Sequence, residues 1–379
     1  MRYSEATSRW QRCDLNTCRG CRGARLDPVF QMDPMPLAGA FAATRDGALQ
    51  AERFPLSWLW CNTCGLVNVA PDIPDSALYG TYHYASSDVP ALVRHFTDFA
   101  ALLKTRFGTA RVLEIGCNDG VLLKRLPKEW DKVGVDPSDI AAAMRGDYAL
   151  YNQPYTSDLA AELGRFDLVL TSNSLAHFTD LADALEGLTI SAKGEVWIEV
   201  HDLQATLRSG QWDTVYHEHK VEWSVDALLH LMARHGFEPI GVTVLPLHGG
   251  LLRAGFRQGR ADIPAPGPPD CSILQSGYLR RRESEAYRLL LGANAVAYGA
   301  AGRASVFFNQ IPELEFRYVV DGSPQRSGRY VPGAGYPVVP PEQFEADQPP
   351  LTLISAWNHA ADIHAAHPAY TGRWLSAFE

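Results

Sequence analysis

Short apolar runs, each ending in a polar or glycine-rich turn, recur through the middle of the chain. Runs of this length without strict alternation are typical of strands that are buried on both faces of a parallel sheet. The apolar positions of residues 91–107 and 180–188 instead follow a helical period. Strands that alternate with helices predict a doubly wound α/β sheet with right-handed crossovers. The predicted strands lie at residues 112–115, 132–136, 166–171 and 195–200.

The last third of the chain repeats this pattern on a smaller scale. A proline-rich connector at residues 261–269 precedes an amphipathic segment, residues 273–291, that predicts one long helix. Residues 295–303 indicate a strand and a glycine turn, and two more strands are predicted at residues 316–321 and 351–355. The glycine turn is compatible with a second nucleotide site. It is equally compatible with a strand-to-helix turn that needs glycine for its geometry alone.

The composition excludes several classes of protein. A chain of 379 residues exceeds one ordinary hydrophobic core, so two or three domains are expected. The net charge of −9 provides no basic surface for nucleic acid. No apolar run approaches the roughly 18 residues of a membrane span, and the N-terminus lacks the apolar core of a signal peptide. We therefore expect a cytoplasmic protein without nucleic-acid or membrane partners.

Four of the seven cysteines form two Cys-x-x-Cys pairs, Cys18 with Cys21 and Cys61 with Cys64. Two residues between thiolates allow both sulfurs of a pair to reach one ion at about 2.3 Å, and two such pairs make a closed zinc site. A redox-active Cys-x-x-Cys is the alternative. The presence of two pairs favours structural Zn²⁺, with residues 22–60 folded as a separate loop or hairpin between them.

A predicted strand, residues 112–115, leads directly into a glycine turn between Gly116 and Gly120, and the next residues indicate the start of a helix. Glycine allows the backbone to approach a ligand closely, and free N–H groups at a helix start favour polar or anionic ligand atoms. The dinucleotide-binding fingerprint is absent because Asn118 replaces its middle glycine. Asp136 ends the next strand, where such folds hold a ribose diol. This pattern resembles the S-adenosylmethionine site of class I methyltransferases. The alternative is another doubly wound fold with a glycine turn.

Tyr216, His217, Glu218 and His219 form the densest run of proton-transfer groups in the chain. They follow the strand at residues 195–200, and ligands of open α/β sheets bind beyond the carboxyl ends of strands. Histidine suits proton transfer because its pKa lies near neutrality. A metal site is a weaker interpretation, since the helical His-Glu-x-x-His spacing is absent. A polar surface loop is the remaining alternative to a catalytic site.

Further candidates flank the predicted cleft. His177 lies just past the strand at residues 166–171, at the same sheet edge. A lone histidine there would more often be a core residue, but beside the run at 216–219 it becomes a catalytic candidate. The others are an imidazole next to two flexible glycines and two phenols that would reach the cleft if residues 78–87 fold over it: His248, Gly249, Gly250, Tyr82 and Tyr84.

Taken together and in this order, these segments resemble the sugar C-methyltransferases of deoxysugar biosynthesis, which act on nucleotide-linked keto sugars. The resemblance spans nearly the whole chain. The sequence departs from the family at Arg303-Ala-Ser305, where Lys-Gly-Asn is common, and at Trp223, which replaces a smaller aromatic ring. Beyond the motifs already described, the matching elements are residues 82–87, residues 173–177, Tyr298-Gly-Ala300, Val320-Asp321 and Trp357-Asn358.

The resemblance implies a three-domain architecture with the substrate in the cleft between the domains. Residues 10–80 would form a zinc-binding domain, residues 81–258 a class I methyltransferase domain that binds S-adenosylmethionine, and residues 259–379 a Rossmann-like α/β domain. The implied cofactors are S-adenosylmethionine and structural Zn²⁺. The implied partner is a small nucleotide-sugar substrate, and we expect a monomer.

The resemblance also assigns roles to individual residues. His219 would be the general base that removes the proton beside a ketone, giving an enolate that attacks the methyl sulfonium. Its supporting groups would be Glu218, Tyr216, His177 and Tyr82. The methyl donor would be held by Glu114, Gly116, Asn118, Asp119, Gly120, Asp136 and Asn173. The substrate would contact Tyr84, His217, His248, Gly249, Gly250 and Tyr298.

We therefore expect an S-adenosylmethionine-dependent C-methyltransferase that acts on a nucleotide-linked 4-keto-deoxysugar, with thymidine diphosphate as the nucleotide. One rival is a methyltransferase of another small-molecule or natural-product scaffold. A second is a non-catalytic zinc-ribbon interaction protein. The sequence specifies neither the methylated carbon nor the stereochemical outcome.

Overall fold

The computed structural model describes residues 15–78, 85–143, 145–247 and 249–378. These residues form three β-sheets and the helices that cover them. The strands are β1 (Leu26–Met35), β2 (Phe54–Cys61), β3 (Val67–Ala70), β4 (Arg111–Ile115), β5 (Asp131–Val135), β6 (Ala149–Tyr151), β7 (Phe166–Ser172), β8 (Ala192–His201), β9 (Val221–Glu222), β10 (Phe237–Leu245), β11 (Leu251–Gln258), β12 (Ala295–Tyr298), β13 (Phe316–Val320), β14 (Val338–Val339), β15 (Leu351–Ile354) and β16 (Arg373–Ser376). The helices are α1 (Arg45–Leu49), α2 (Asp75–Leu78), α3 (Pro90–Arg106), α4 (Asp139–Ala143), α5 (Ser157–Leu163), α6 (Leu181–Ser191), α7 (Leu203–Ser209), α8 (Val225–Arg234), α9 (Ser272–Leu279), α10 (Glu285–Leu290), α11 (Gly302–Gln310), α12 (Pro341–Asp347) and α13 (Ala360–Ala366).

The central sheet has seven strands in the order β10-β11-β8-β7-β4-β5-β6. Its strands from β8 to β6 are parallel, and α-helices separate them along the chain except between β4 and β5, so the predicted doubly wound α/β sheet is confirmed. The inner strands form because their side chains are apolar on both faces: Leu168, Val169 and Leu170 are fully buried. The sheet is not wholly parallel, however, because β11 runs antiparallel to both β8 and β10.

The N-terminal sheet has four antiparallel strands in the order β1-β2-β3-β9. Its last strand does not come from the N-terminal segment. Instead, β9 follows the run at residues 216–219 and pairs with β3, with Val67 opposite Glu222 and Asn68 opposite Val221. The predicted zinc-binding segment is therefore joined by main-chain hydrogen bonds to the loop that carries the candidate base.

The C-terminal sheet has five parallel strands in the order β14-β13-β12-β15-β16. Helix α11 follows its glycine turn and packs against the segment between α7 and β9. There the rings of Trp212 and Phe307 stack with their centroids 5.8 Å apart. Apolar side chains of all three domains share one core cluster around these rings.

Two predicted helices differ from the structure. The glycine turn after β4 leads only to a 3₁₀ turn at Leu123–Arg125, because Pro127 follows and disfavours helical backbone at the residue before it. The single helix predicted at residues 273–291 is broken into α9 and α10. Ser284 ends the break, since its side chain accepts a hydrogen bond from the Tyr287 N–H and caps α10.

Among the described helices, none combines the length and the apolar character that crossing a membrane requires.

Candidate active site

The four cysteines of the two Cys-x-x-Cys pairs converge beside the N-terminal sheet. The Sγ atoms of Cys18 and Cys64 lie 3.6 Å apart, as do those of Cys21 and Cys61. All four sulfurs lie within 4.8 Å of one another. Four sulfurs bound at about 2.3 Å to a tetrahedral Zn²⁺ would stand about 3.8 Å apart, so the cluster fits this ion. Four thiolates complete the coordination shell, which makes the zinc structural.

Backbone hydrogen bonds shape each pair into a tight knuckle. The Arg22 N–H donates to the Cys18 carbonyl and the Gly65 N–H to the Cys61 carbonyl, each at 2.8 Å. Both donors have positive φ, 58° at Arg22 and 79° at Gly65. Glycine adopts this conformation readily, whereas an arginine is uncommon there. The side-chain amide of Asn68 donates to the Cys18 sulfur at 3.5 Å, which stabilises thiolate charge.

The glycine turn after β4 has the tight geometry that the sequence predicts. Gly116 and Gly120 have φ values of 73° and 72°, in the left-handed region that favours glycine. A Cβ atom on Gly120 would stand 2.3 Å from the Tyr148 hydroxyl oxygen, and one on Gly116 would stand 2.3 Å from the Ser174 Cβ. Both the backbone conformation and the close neighbours therefore require glycine.

Three buried acids surround this turn: Glu114, Asp119 and Asp136 are 3%, 1% and 7% exposed. The pKa of Glu114 lies well above its ordinary value, because of burial first and then the negative charges of Asp136 and Asp119. Within the described part of the chain, Oε2 of Glu114 and Oδ1 of Asp119 have no hydrogen-bond partner. Buried acceptors of this kind fit the amino and hydroxyl donors of S-adenosylmethionine.

Asp136 and Asn173 hold the backbone at the ends of β5 and β7, the strands on either side of β4. The Asp136 carboxylate accepts hydrogen bonds from the N–H groups of Asn118 and Ser138, each at 2.8 Å. Each carboxylate oxygen can accept another hydrogen bond, which leaves room for the ribose contact predicted for Asp136. That contact stays a prediction. Asn173 has a φ of 56°, and its N–H donates to the Glu199 carbonyl at 2.8 Å. Asparagine tolerates this left-handed conformation.

A cluster of titratable side chains lies at the carboxyl edge of the central sheet, close to this turn. The Tyr216 hydroxyl oxygen is 3.1 Å from Nε2 of His219. The rings of His177, from the loop after β7, and of His201, from the end of β8, have centroids 5.3 and 6.2 Å from that of His219. The structure thus brings together three residues that the sequence predicts. It adds His201, whose only signal in the sequence is its place at a strand end.

Main-chain hydrogen bonds fix the candidate loop, which we define as residues 216–222, from two sides. The Lys220 N–H donates to the Ala176 carbonyl at 2.7 Å, which ties the loop to the segment after β7. The Lys220 carbonyl accepts from the Val69 N–H at 2.9 Å, and β9 continues this pairing with β3. The loop is therefore held between the central sheet and the N-terminal sheet.

Burial keeps His219 and His177 neutral. It lowers the pKa of His219 to about 3, with a further contribution from the Arg303 charge. It lowers the pKa of His177 to about 4, with a smaller effect from His219. Nδ1 of His177 lies 2.7 Å from the Glu218 carbonyl oxygen, which can only accept, so this nitrogen carries the ring proton. A neutral imidazole has the free lone pair that a general base requires.

The other two members of the run contact the N-terminal domain. Burial raises the pKa of Glu218 to about 7, opposed by a hydrogen bond from the Gly39 backbone and by the Arg326 charge. His217 is 3% exposed, and its Nε2–H donates to the Pro55 carbonyl at 2.8 Å. The structure therefore does not bring His217 into the cluster, because its ring is buried against β2.

Two titratable residues that the sequence does not predict complete the cluster. Glu222 is 1% exposed, and its Oε1 lies 3.6 Å from Nδ1 of His219. Arg303, in the first turn of α11, donates from Nη2 to Nε2 of His201 at 2.9 Å. Its guanidinium carbon lies 5.2 Å from the centroid of the Trp357 ring. The C-terminal domain thus contributes a positive charge to the candidate site.

An open cavity with a volume of about 590 Å³ lies between the central and C-terminal domains. Gln211 connects the cavity to the cluster, since its side-chain oxygen lies 3.4 Å from Nη1 of Arg303 and its amide donates to the Gly249 carbonyl at 3.0 Å. The volume suits a small organic ligand. Among its lining residues are Gln211, Gly249, Gly250, Trp357 and Phe378, two of which the sequence predicts as substrate contacts.

Tyr298 is not brought to this cavity. Its hydroxyl lies 2.8 Å from Nε2 of His367, and its ring packs against Phe344 with the centroids 5.5 Å apart, within the C-terminal domain. The predicted residues that lie outside the described part of the chain are Tyr82, Tyr84 and His248.

Three protein-family models match the chain in succession. They are a zinc binding domain at residues 18–79, a methyltransferase domain at residues 85–242 and a C-methyltransferase C-terminal domain at residues 289–378. The C-methyltransferase NovU of Streptomyces niveus is 26% identical over 383 residues, which cover 92% of this chain and 91% of NovU. A malonyl-[acyl-carrier protein] O-methyltransferase of Magnetococcus marinus is 36% identical over 92 residues, which cover 21% of this chain and 33% of that protein.

Two solved structures are similar over part of the chain. Magnesium protoporphyrin IX methyltransferase from Synechocystis, with bound S-adenosylhomocysteine, has a TM-score of 0.36 and 15% identity and covers 45% of this chain and 83% of its own. The N-methyltransferase NodS from Bradyrhizobium japonicum has a TM-score of 0.35 and 14% identity and covers 45% of this chain and 89% of its own.

The order of the matched domains agrees with the order that the sequence predicts, and the four-cysteine cluster lies within the first of them. The central sheet and its glycine turn lie within the second. The chain is therefore an S-adenosylmethionine-dependent C-methyltransferase, built from a structural zinc domain, a class I methyltransferase domain and a C-methyltransferase C-terminal domain.

Proposed function

We propose that this C-methyltransferase acts on a nucleotide-linked 4-keto-deoxysugar, with thymidine diphosphate as the nucleotide, through an enolate that His219 generates. The observation that carries the proposal is a neutral, partly buried His219 placed 3.1 Å from the Tyr216 hydroxyl and next to His177, at the ligand-binding edge of the sheet. The resemblance to sugar C-methyltransferases supports the substrate class. The similarity to NovU over 92% of the chain supports transfer to carbon.

His219 performs the first step. Its Nε2 takes the proton from the carbon beside the ketone, and the C–H electron pair becomes the enolate double bond as negative charge moves to the oxygen. The enolate carbon then bonds to the methyl carbon of the sulfonium. The S–CH₃ electron pair stays on sulfur, and S-adenosylhomocysteine leaves. The proton on His219 passes to solvent, which returns the base to its neutral form.

Positive charge and hydroxyl donors near His219 support enolate formation. A proton beside a ketone is acidic only when the enolate oxygen is stabilised, and one such donor is typically worth about 10²- to 10³-fold in kcat. The Tyr216 hydroxyl is one donor within the cluster. The Arg303 charge already lowers the pKa of His219, and the same charge would stabilise an enolate oxygen.

The glycine turn supplies the site for the methyl donor. S-adenosylmethionine provides an electrophilic methyl group on its sulfonium. The oxygens of Glu114 and Asp119 that lack a hydrogen-bond partner among the described residues would accept hydrogen bonds from its polar groups. Asp136 and Asn173 would complete the site. Fixing the donor against the carbanion contributes much of the rate, because it converts an encounter of two molecules into a step within one complex.

The cavity beside the cluster supports a nucleotide-linked substrate. Trp357 and Phe378 offer aromatic faces on which a pyrimidine can stack, and Gln211 offers an amide for its polar edge. The cavity connects with the cluster through Arg303, whose charge would favour a diphosphate. A substrate that spans the two regions would place its sugar near His219 and its nucleotide against the C-terminal domain.

We place the enzyme in the cytoplasm, where reduced thiols can hold zinc, and propose that it works as a monomer on a small molecule, without nucleic-acid or membrane partners. Size-exclusion chromatography with light scattering tests the monomer, and a dimer mass would overturn it.

The test is mass spectrometry of a thymidine-diphosphate 4-keto-deoxysugar incubated with the zinc-loaded enzyme in heavy water, with and without S-adenosylmethionine. Gain of one methyl group with the donor, and of deuterium at the α-carbon without it, is expected. The His219→Asn variant is the matched control and should show neither. If the wild-type enzyme binds S-adenosylmethionine but changes this sugar in neither way, the substrate proposal fails and other ketone scaffolds become the targets.

A further inference from the structure

Two buried polar atoms without hydrogen-bond partners face each other next to the candidate base. Within the described residues, Nδ1 of His219 and Oε1 of Glu222 each lack a partner. They lie 3.6 Å apart, and their side chains are only 15% and 1% exposed. A hydrogen bond between such atoms forms at about 2.9 Å, so a shift of roughly 0.7 Å closes it. Unpartnered buried polar atoms are costly, which favours this closure.

The backbone on both sides of this pair is fixed. Glu222 lies in β9, opposite Val67 of the N-terminal sheet. The neighbouring residue Trp223 bridges Asp202, and its carbonyl accepts from the Leu203 N–H at 2.9 Å. The carboxylate is therefore presented to His219 by secondary structure rather than by a free loop.

The opposite nitrogen of the ring faces the reacting groups. Nε2 of His219 lies 3.1 Å from the Tyr216 hydroxyl, and the two rings lie with their centroids 4.5 Å apart. A neutral imidazole carries one proton, so a proton held on Nδ1 leaves the lone pair on Nε2. The choice of tautomer thus decides whether the nitrogen near Tyr216 can act as a base.

We propose that Glu222 is the positioning residue of the base: its carboxylate accepts a hydrogen bond from Nδ1–H of His219 and so holds the lone pair on Nε2. The inference rests on the proposed function of His219. When Nε2 takes the proton of the substrate, the ring becomes a cation, and the carboxylate stabilises that cation without itself taking the proton, as in other carboxylate–histidine pairs.

The protonation state of Glu222 sets when this arrangement exists. Burial raises the pKa of Glu222 to about 8, and the Arg303 charge opposes that rise. The other titratable groups around the pair are His177, His201 and Tyr216. Above pH 8 the carboxylate is ionised and accepts from Nδ1–H. Below pH 8, protonated Glu222 donates to Nδ1 and the ring proton moves to Nε2. Nε2 then has no lone pair with which to act as a base.

The test measures the His219 tautomer directly by ¹⁵N NMR of the full-length, zinc-loaded protein labelled at histidine. The His219→Asn variant assigns the signal by its loss. In the wild-type protein, the protonated nitrogen should change from Nε2 to Nδ1 with a midpoint near pH 8. In Glu222→Gln this change should be absent, whereas Glu222→Asp should retain it in part. Melting temperature and zinc content verify that each variant is folded.

Turnover provides the second measurement. The wild-type kcat should rise with pH through about 8, and Glu222→Gln should lose this rise together with at least about tenfold in kcat at little change in KM. Glu195→Gln is the matched control. Glu195 lies in the half of β8 that is away from His201, and it pairs with Arg106. It should leave both properties unchanged.

The outcomes separate this inference from the proposed function. A tautomer change that persists in Glu222→Gln overturns the positioning role of Glu222, whatever the substrate. A change that is lost in Glu222→Gln supports that role even if the wild-type enzyme does not act on the keto sugar, in which case only the substrate proposal fails. A folded Glu222→Gln variant with wild-type kcat and pH profile also overturns the inference.

Discussion

Replacing Gly120 by alanine tests whether the glycine turn after β4 holds the methyl donor. Gly120 has a φ of 72°, which L-residues rarely adopt. Its new Cβ would stand 2.3 Å from the Tyr148 hydroxyl oxygen and 2.7 Å from the ring carbon that bears it. Ordinary contact would require the Tyr148 ring to move by more than about 1 Å, since carbon contacts are normally about 3.5 Å or longer.

The expected loss of affinity follows from the backbone conformation. An L-residue in the left-handed region costs about 1–2 kcal/mol. In the free variant the turn can relax away from that conformation, but ligand binding requires its return. The strain therefore appears in the binding free energy, and about 1–2 kcal/mol corresponds to a 5- to 30-fold higher Kd. Displacement of Tyr148 adds to this loss.

Isothermal titration of S-adenosylmethionine and S-adenosylhomocysteine measures the effect. Gly164→Ala is the matched control, because Gly164 has a φ of 77° and its Cβ would meet only an Arg111 nitrogen, at 3.8 Å. Its positive φ also strains an L-residue, but at the end of α5 and away from the turn, so stability should fall while Kd is unchanged. Gly120→Ala combined with Tyr148→Ala separates the steric contribution and should recover part of the affinity.

A folded Gly120→Ala variant that binds both ligands within about twofold of the wild-type Kd would contradict this role of the turn. In that case the turn would tolerate a side chain, and the methyl donor would have to lie elsewhere on the sheet edge. An equal loss of affinity in Gly164→Ala would instead indicate a general effect on stability.

Three other predictions concern the base, the zinc and the pH dependence of stability. His219→Asn should lose about 10²- to 10⁴-fold in kcat while it still binds S-adenosylmethionine, and appreciable residual turnover would remove His219 as the base. Cys18→Ser should lower both the zinc content and the melting temperature. Cys271→Ser is the control, because Cys271 is buried but does not belong to the four-cysteine cluster, and this variant should retain its zinc. Equal zinc content in both variants would contradict the zinc site. Burial lowers the pKa of His217 from 6.5 to about 4, so as the pH falls the unfolded chain binds a proton at His217 before the folded chain does. The stability that the neutral, buried His217 contributes is therefore complete above pH 6.5 and is lost progressively toward pH 4. Urea titrations should show a decrease in the free energy of unfolding of up to about 3 kcal/mol over this range that is smaller in His217→Gln, and identical pH profiles would rule His217 out.

The inner strands of the central sheet could be predicted because their signal is local. Strand β7 contains the fully buried apolar run Leu168–Leu170, and a short run of this kind between polar turns is typical of a strand in a parallel sheet. By contrast, β10 was missed because most of its side chains are exposed, and it contains Pro239, which is tolerated at a sheet edge. It lies at the edge of the central sheet and pairs with β11, the next strand along the chain.

The candidate site could be predicted only where its residues adjoin in sequence or, like His177, follow a predicted strand. Tyr216 and His219 lie in one short run, so their combination was visible. Arg303 reaches the cluster from another domain, and His201 is recognisable only as a strand end. Glu222 lies three residues after His219, but nothing in the sequence shows that β9 turns its carboxylate toward the imidazole. Such contacts arise from packing between domains, which the spacing of residues along the sequence does not reveal.

The pairing of β9 with β3 has a consequence for how this enzyme can be divided. A fragment that begins after residue 84 would contain the glycine turn and the acids around it, yet its β9 would have lost the strand that holds it. Such a fragment should still bind the methyl donor, but the imidazole of His219 would no longer be held in a fixed position. Donor binding and proton abstraction are thus separable by truncation, even though the polypeptide that carries both is continuous.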